Sequence, residues 1–356
     1  MLVHICCAVD SHYFLQKLRS QFPDERLIGF FYDPNIHPYS EYQLRLLDVK
    51  RSCKMLDIEL IEGEYDTAGW LEAVRGLENE PEKGARCSVC FDNRFEITAK
   101  KANELGEKIF TSTLLTSPKK SLTQLKNSGD ALAKLFELEF IAPDYRSKQG
   151  TQEQNILAKQ DKLYRQDYCG CLFGLTKQRE YQDKLTDELL SPISKQVQPE
   201  SIEDRLQIYE KRWELEEQNK TYTIRKERFL NWRLLRGYVT HANKVIPSHF
   251  LPYSTLKKGY SRGKITWNGD KGYFDRDEII FITLGYYNSL AGTNYESVQK
   301  LVFDPPSFDD EVRLRQNIIL NLYNLNTIII IDSILNGKFE IVCDSKIYQD
   351  TKEILC

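Results

Sequence analysis

Over the first ~190 residues, short apolar runs alternate with amphipathic, charged stretches, the rhythm of a parallel sheet whose strands are joined by helices. The pattern predicts strands at residues 2–6, 27–32, 58–61, 108–112 and 140–142. Between them it predicts helices at residues 11–21, 39–55, 70–75, 87–105 and 121–136. Three of the strands run into chemically distinctive loops: Cys6-Cys7-Ala8-Val9-Asp10, Asp33-Pro34-Asn35-Ile36-His37-Pro38, and residues 113–120. In an open α/β sheet, ligands bind beyond the carboxyl ends of the strands, so these loops are expected to converge on one site. The fold class expected is therefore α/β, a Rossmann-like parallel sheet.

The texture then changes. Residues 178–199 are polar, contain Ser191-Pro192 and Gln198-Pro199, and read as the exit from the first domain. This predicts a catalytic, metal-containing α/β domain at residues 1–190 and a C-terminal α+β extension at residues 191–356. Within the extension, residues 202–240 read as helical and strongly charged. Asn336-Gly337, between the apolar runs 328–335 and 339–342, reads as a β-hairpin turn.

Composition narrows the class. Of 356 residues, 41% are hydrophobic and 28% charged, which suits a globular protein with a sizeable core and excludes collagen-like and disordered chains. The N-terminus shows no basic region followed by an apolar stretch, and the longest apolar candidate, residues 327–331, is far below the ~18–20 of a membrane span. The expected location is the cytoplasm, with no membrane partner. Thiols there stay reduced, so clustered cysteines point to metal or redox chemistry.

Six of the nine cysteines form three close pairs, Cys6-Cys7, Cys87-x-x-Cys90 and Cys169-Gly170-Cys171. A lone cysteine is most often a small buried hydrophobe, and Cys53, Cys343 and Cys356 are read that way. Three pairs at the mouth of a predicted sheet are a different signal. Cys87 and Cys90 open a predicted helix, where free N–H groups stabilise thiolates. Gly170 lets the chain turn tightly enough for both neighbouring sulfurs to face one centre. Six thiols plus Asp10 exceed the four ligands of one tetrahedral ion or one [4Fe-4S] cluster. The excess is accounted for by a cluster with a second, mononuclear metal, or by a cluster with spare redox thiols. Asp10 is the candidate oxygen ligand, with helix N-capping as its ordinary alternative.

The same residues resemble a known family. Val3-His4-Ile5-Cys6-Cys7-Ala8, the loop from Phe31 to Pro38 with Glu41-Tyr42, Cys87-x-x-Cys90, Asp144-Tyr145-Arg146, Lys148-Gln149-Gly150 and Tyr168-Cys169-Gly170-Cys171 resemble the cobalamin-independent epoxyqueuosine reductases. The resemblance runs from residue 1 to about 180 and departs from the family pattern at Val9 and Asp33, where proline and asparagine are common. It implies a fold similar to the PP-loop and adenine nucleotide α-hydrolase group. It also implies an iron–sulfur cluster beside an additional metal, expected to be iron, and no cobalamin. The implied reaction removes the epoxide oxygen of epoxyqueuosine at the wobble position of a tRNA anticodon, with electrons from an external donor. Residues 190–356 lie outside what the resemblance covers.

On this reading Cys6, Cys7, Asp10, Cys87, Cys90, Cys169 and Cys171 hold metal, and His37 donates a proton or contacts substrate. Tyr39, Tyr42 and Tyr168 are candidates for stacking on bases, and Arg146, Lys148 and Arg165 for phosphate contacts. Between Lys220 and Lys264 there are eleven Lys/Arg and one acid, Glu227: net +10, leaving −13 for the remainder of a chain whose total is −3. Interleaved aromatics make Arg225, Lys226, Arg228, Arg233 and Arg236 candidate contacts to the anticodon stem-loop. Two other functions fit part of the pattern: a PP-loop-type ATP-dependent sulfur-transfer enzyme acting on tRNA, and a zinc-stabilised RNA-binding module. The first strand, however, is followed by cysteines rather than by the glycines of a phosphate loop.

Overall fold

The computed structural model describes residues 1–118, 120–147, 149–190, 195–274, 279–319, 321 and 324–356. It forms two compact units, Met1–Leu190 with Arg205–Thr221, and Ser191–Asp204 with Tyr222–Cys356.

The first unit is a mixed α/β layer structure. Its strands are β1 (Leu2–Ile5), β2 (Ile28–Phe31), β3 (Glu59–Glu62), β4 (Ile109–Ser112) and β5 (Glu139–Phe140), all parallel, in the order β3-β2-β1-β4-β5. The helices α1 (Ala8–Gln21), α2 (Tyr39–Met55), α3 (Thr67–Ala73), α4 (Ala85–Glu104) and α5 (Leu122–Phe136) supply the crossovers. β1 and β2 are buried along their whole length, which is why they read as unbroken apolar runs rather than alternating ones. Every predicted strand and helix of this region overlaps an observed one. The apolar pattern did not disclose two helices, α6 (Gly150–Gln160) and α7 (Leu172–Tyr181); α7 takes up the first residues of the stretch read as a domain exit.

The strand order reverses between β1 and β4, so their carboxyl ends open the crevice at the topological switch point. Cys6 and Thr113 stand at these two strand ends, 3.8 Å apart between Sγ and Oγ1.

Helix α8 (Ile202–Glu217) lies in the segment assigned from sequence to the extension, yet from Arg205 onward it belongs to the first unit. The reason is electrostatic. Arg212 is fully buried against Asp48 of α2 and also donates to the Lys162 carbonyl at 2.7 Å. Asp48 in turn accepts from the Tyr164 N–H at 2.7 Å. Arg51 makes a two-pronged pair with Glu216 at 2.7 and 2.9 Å.

The second unit contains β6 (Ile224–His241), β7 (Lys244–Ile246), β8 (His249–Phe250), β9 (Tyr260–Asn268), β10 (Lys271–Phe274) and β11 (Ile280–Thr283). After helices α9 (Leu284–Ala291), α10 (Val298–Phe303) and α11 (Phe308–Ile318) come β12 (Ile328–Ile331) and β13 (Lys338–Leu355). The sheet order is β7-β6-β13-β9-β10-β11-β12-β8, with only β11–β12 parallel among the pairs described. Ile329 and Ile331 enter one core with Val239, Phe281 and Phe339, while Ile328 and Ile330 enter another with Tyr287, Leu301 and Leu314. Burial on both faces explains the four-isoleucine run.

Two expectations fail here. Residues 224–241 are a strand, not the second half of a helix. Arg225–Arg228 are exposed on both faces of a two-stranded ribbon with β13, so no two-residue alternation marks them. Asn336-Gly337 does not close a hairpin, because β12 pairs with β11 and β8 while β13 pairs with β6 and β9. Gly337 does adopt φ +123°, turning the chain from one strand into the other at separate places in the sheet. Among the described residues, no helix is long and apolar enough to cross a membrane.

Removing one partner of a buried ion pair leaves an uncompensated charge. Arg212→Met is therefore expected to lower the unfolding free energy by about 3–5 kcal/mol in chemical denaturation. Lys54→Ala, which breaks an exposed pair with Glu217, is expected to cost under about 1 kcal/mol.

Candidate metal centre and active-site cavity

All three cysteine pairs sit at helix N-termini. Cys7 is the N-cap of α1, Cys87 lies in the first turn of α4, and Cys171 is the N-cap of α7. The unpaired N–H groups and dipole of a helix start favour thiolate and anion there.

Cys6 Sγ lies 3.8 Å from Cys7 Sγ and 3.9 Å from Asp10 Oδ2. The donor atoms of Cys6, Cys7 and Asp10 all lie within 4.8 Å of one another; among the described residues no other three Cys, His or carboxylate groups converge so closely. Asp10 is not an N-cap but lies inside the first turn of α1, where its Oδ1 accepts from Gln154 Nε2 at 2.6 Å. Burial pushes the Asp10 pKa up, opposed by hydrogen bonds from Gln154 and Cys7. The Cys7 thiol is held well above its ordinary range by its hydrogen bond with Cys6 and by burial. Cys7 and Asp10 thus resist ionising side by side, and a divalent cation beside them would balance their charge.

Three of the other four sulfurs group together, while Cys87 packs against the core of the parallel sheet. Cys90 and Cys171 are buried with Trp70 and Val74, and Cys169 and Phe173 pack against them. The Cys171 thiol donates to Cys169 and holds the Cys169 pKa well below the usual value, against burial and with help from Lys120 and Arg45. Burial works against the charge on Lys120, but the sulfurs of Cys169, Cys87 and Cys90 outweigh it and raise its pKa. One ammonium thus faces three of the four sulfurs. Cys87 Sγ also accepts from the Lys83 N–H at 3.3 Å.

The Cys169–Cys171 turn is pinned to the 33–38 loop. Ile36 bridges Cys171, and the His37 N–H donates to the Gly170 carbonyl at 2.9 Å. Gly170 has φ +97°, and a Cβ there would stand 2.8 Å from Ile36 Cγ1 and 3.2 Å from Arg45 Nη1. Arg45, buried in α2, donates to the Tyr168 and Cys169 carbonyls at 3.1 and 3.2 Å and to Glu41 at 2.7 Å. Tyr164 closes the network, its hydroxyl donating to Glu41 at 2.8 Å.

A cavity of ≈ 450 Å³ joins the two groups, with Cys6 and Asp10 on one side, Cys169 on the other, and Arg45, Arg94 and Lys120 in its wall. Arg94 forms a buried ion pair with Asp33 and donates from Nε to His4 Nε2 at 3.3 Å. Burial lifts the Asp33 carboxyl to about 6, with Arg94 and Arg45 pulling it back. His4 is kept neutral by burial and by Arg94, and its Nδ1 meets Ser112 Oγ at 2.8 Å.

The remaining expectations divide. Arg165 and Tyr168 line the cavity, although the Tyr168 ring is itself buried, its hydroxyl donating to the His37 carbonyl at 2.5 Å. His37 is not part of the cavity wall; its ring lies 5.6 Å from Trp70 with Nδ1 3.0 Å from the Asn35 carbonyl, and burial lowers its pKa. Tyr42 is buried packing, and Tyr39, exposed, stacks on it at 5.8 Å. Arg146 donates to the Ser117 and Lys120 carbonyls at 2.7 and 2.9 Å. Lys148 lies outside the described residues. Arg225, Lys226, Arg228 and Arg236 are exposed on β6, but Arg233 is buried, donating to the Pro199 carbonyl at 2.8 Å, so it is not a surface contact. Arg45, Arg94, Lys120 and Gln154 were not singled out from sequence. The Glu41–Arg45 spacing of four was a visible signal, but such pairs usually lie on solvated faces.

A doubly wound sheet whose switch-point cavity is lined by Cys6, Asp10 and Cys169 together with Arg45, Arg94 and Lys120 defines an α/β protein with a thiol-rich candidate metal centre. The family model of epoxyqueuosine reductase QueH matches residues 1–177. Epoxyqueuosine reductase QueH of Helicobacter pylori is 40% identical over 349 residues, covering 93% of this chain and 94% of its own. The QueH of Acinetobacter baylyi is 38% identical over 176 residues, 49% of this chain and 80% of its own. This chain belongs to the epoxyqueuosine reductase QueH family. The Helicobacter match runs through the second unit, whereas the Acinetobacter match covers about half the chain. Among solved structures, the U34-tRNA thiolase NcsA of Methanococcus maripaludis, with its [4Fe-4S] cluster, aligns over 60% of this chain and 73% of its own at 17% identity. The TM-score of that alignment is 0.34.

Gly170→Ala combines an unfavourable backbone region with a close approach to Ile36. It is expected to destabilise the metal-free protein by about 1–3 kcal/mol, read from denaturant midpoints.

Proposed function

We propose that this chain reduces epoxyqueuosine to queuosine at the wobble position of tRNA, using a [4Fe-4S] cluster and a second, mononuclear metal. The carrying observation is that the donors of Cys6, Cys7 and Asp10 converge within 4.8 Å beside a cavity whose wall also includes Cys169. Two thiolates on one tetrahedral ion with metal–sulfur bonds of about 2.3 Å lie about 3.8 Å apart, the separation of Cys6 and Cys7. Soft sulfur mixed with one hard oxygen supports iron at Cys6, Cys7 and Asp10. Cys87, Cys90, Cys169 and Cys171 would then supply the four thiolates of a cluster. When bound, the cluster would supply electrons singly from an external donor, and the second metal would act as a Lewis acid toward the epoxide oxygen.

Converting an epoxide to an alkene consumes two electrons and two protons and releases water. The protein's own groups support this in three ways. Gln154 orients the Asp10 carboxylate. Arg94 and Lys120 set fixed positive charge in the cavity wall, where charge developing on a departing oxygen is stabilised. Arg45 holds Cys169 in place through backbone carbonyls. His37, outside the wall, is assigned to positioning the Cys169–Cys171 turn rather than to proton transfer.

The exposed Arg225, Lys226 and Arg228 of β6 are proposed to neutralise tRNA phosphates, with Arg165 at the cavity. The sulfur-transfer alternative has less support, because Cys6-Cys7-Ala8 leads into α1 without the glycines that admit a pyrophosphate.

Serine substitutions test the division of ligands in protein purified without oxygen. Replacing Cys87, Cys90, Cys169 or Cys171 is expected to abolish visible cluster absorption. Replacing Cys6 or Cys7, or Asp10→Asn, is expected to lower iron content while leaving that absorption. Every substitution should abolish queuosine formation from epoxyqueuosine-containing tRNA by nucleoside mass analysis; full metal loading and turnover throughout would refute the proposal. For tRNA binding, R225A/K226A/R228A is expected to reduce the slope of log K against log salt by roughly 2–3. An unchanged slope would remove these residues from the interface.

A further inference from the structure

The outer face of the second unit's sheet has an architecture that the basic segment alone does not convey. On β6, Val239 points to the core, and a Cβ at Gly237 would stand 3.1 Å from Phe250 on the same side, so Arg236 and Tyr238 point away. Register carries this face across three strands: Tyr238 lies opposite Val342 of β13, and Val342 lies opposite Tyr260 of β9. Two tyrosines thus flank one buried valine in a continuous cross-strand row. Farther along, Tyr273 of β10 points the same way, opposite Thr266 and away from the core residue Phe274. The three rings are 36%, 47% and 50% exposed, unusual for side chains this apolar in a row on one sheet.

The charge on this face is unbalanced. Glu340 is paired with Arg262 at 3.2 Å, and Asp344 stands opposite Arg236. Lys264 and Lys338 are direct cross-strand partners, both exposed, and among the described residues neither has an ion-pair partner. Like charges directly opposite one another on a sheet are unfavourable unless an anion lies between them. Aromatic faces beside an uncompensated lysine pair fit a polymer that carries both flat bases and phosphates.

We infer that this face, with Tyr238 and Tyr260 as stacking surfaces and Lys264 and Lys338 as a phosphate contact, binds unpaired nucleotides of RNA. It is separate from the Arg225–Arg228 stretch, which lies on the ribbon beyond the strands paired with β9. The inference rests on the reading that RNA is this chain's substrate, and it adds a second RNA surface contributed by the C-terminal unit.

The test uses the full-length chain with an unmodified tRNA transcript and a short oligouridine. Because the rings are exposed, Y238A/Y260A should keep the wild-type melting temperature. It should lose about tenfold or more in affinity for both RNAs without changing the salt slope. Y238F/Y260F should retain binding, since the stacking faces remain. K264A/K338A should reduce the salt slope instead. Wild-type affinity in Y238A/Y260A, with tRNA binding intact in the parent, overturns the face while leaving the substrate reading in place. Failure of the parent to bind any RNA overturns both. Self-association abolished by Y238A/Y260A, with RNA affinity unchanged, assigns the face to a second copy of the chain and also overturns the proposal.

Discussion

One buried guanidinium underlies the geometry of the candidate site. Arg45 sits in the interior of α2, balanced by Glu41, and spends its remaining donors on the carbonyls of Tyr168 and Cys169. Those carbonyls belong to a segment more than a hundred residues away in sequence, with no strand of its own in the parallel sheet. A charge buried this deeply is tolerated only when every donor is satisfied, so the Tyr168–Cys171 segment is held to one position and one orientation. Gly170 completes the constraint, since the space a side chain would need is occupied by Ile36 and by Arg45 itself. The third cysteine pair reaches the cavity because of this network.

From that constraint the electrostatics follow. Helix N-termini, Arg45, Arg94 and Lys120 bring positive charge to the sulfurs, while burial raises the cost of charging Cys7, Asp10, Cys90 and Cys171. The balance differs between the two groups. Cys169 is poised toward thiolate by Cys171 and Lys120, whereas Cys7 and Asp10 are pushed toward their protonated forms. Within the second group the shifts are unequal, since the neighbouring Cys169 and burial push Cys171 the other way and burial raises Cys90. In the second unit the imbalance lies at the surface, where Lys264 and Lys338 have no ion-pair partner among the described residues and Tyr238, Tyr260 and Tyr273 are exposed.

Much of the first unit was legible because its strands are buried on both sides and its helices are amphipathic. Those two conditions write unbroken apolar runs and charged periodic stretches directly into the residue order. The thiols were legible because paired cysteines are rare. The extension was harder to read. Arg225–Arg228 look helical in sequence since a ribbon exposed on both faces imposes no alternation, and Asn336-Gly337 carries a hairpin signature in a turn that joins two strands with different partners. His37 and Tyr42 were chosen for their chemical type, but side-chain direction decides access to a cavity, and that direction is a property of packing. Arg233 is indistinguishable in sequence from its exposed neighbours, yet the Pro199 carbonyl holds it inside.

The residue order by itself determined the α/β class, the family, and a candidate ligand set of six paired thiols with Asp10 in the loops after the strands. Those are local properties, set by burial pattern and residue type within a few positions of each other. The tertiary structure alone decided which sulfurs stand together, that Lys120 faces three of them, that α8 belongs with the first sheet, and which tyrosines share an open face. Each of these depends on contacts between residues distant in sequence, where a buried charge, a missing Cβ or a strand register selects one arrangement among many that the local pattern would allow.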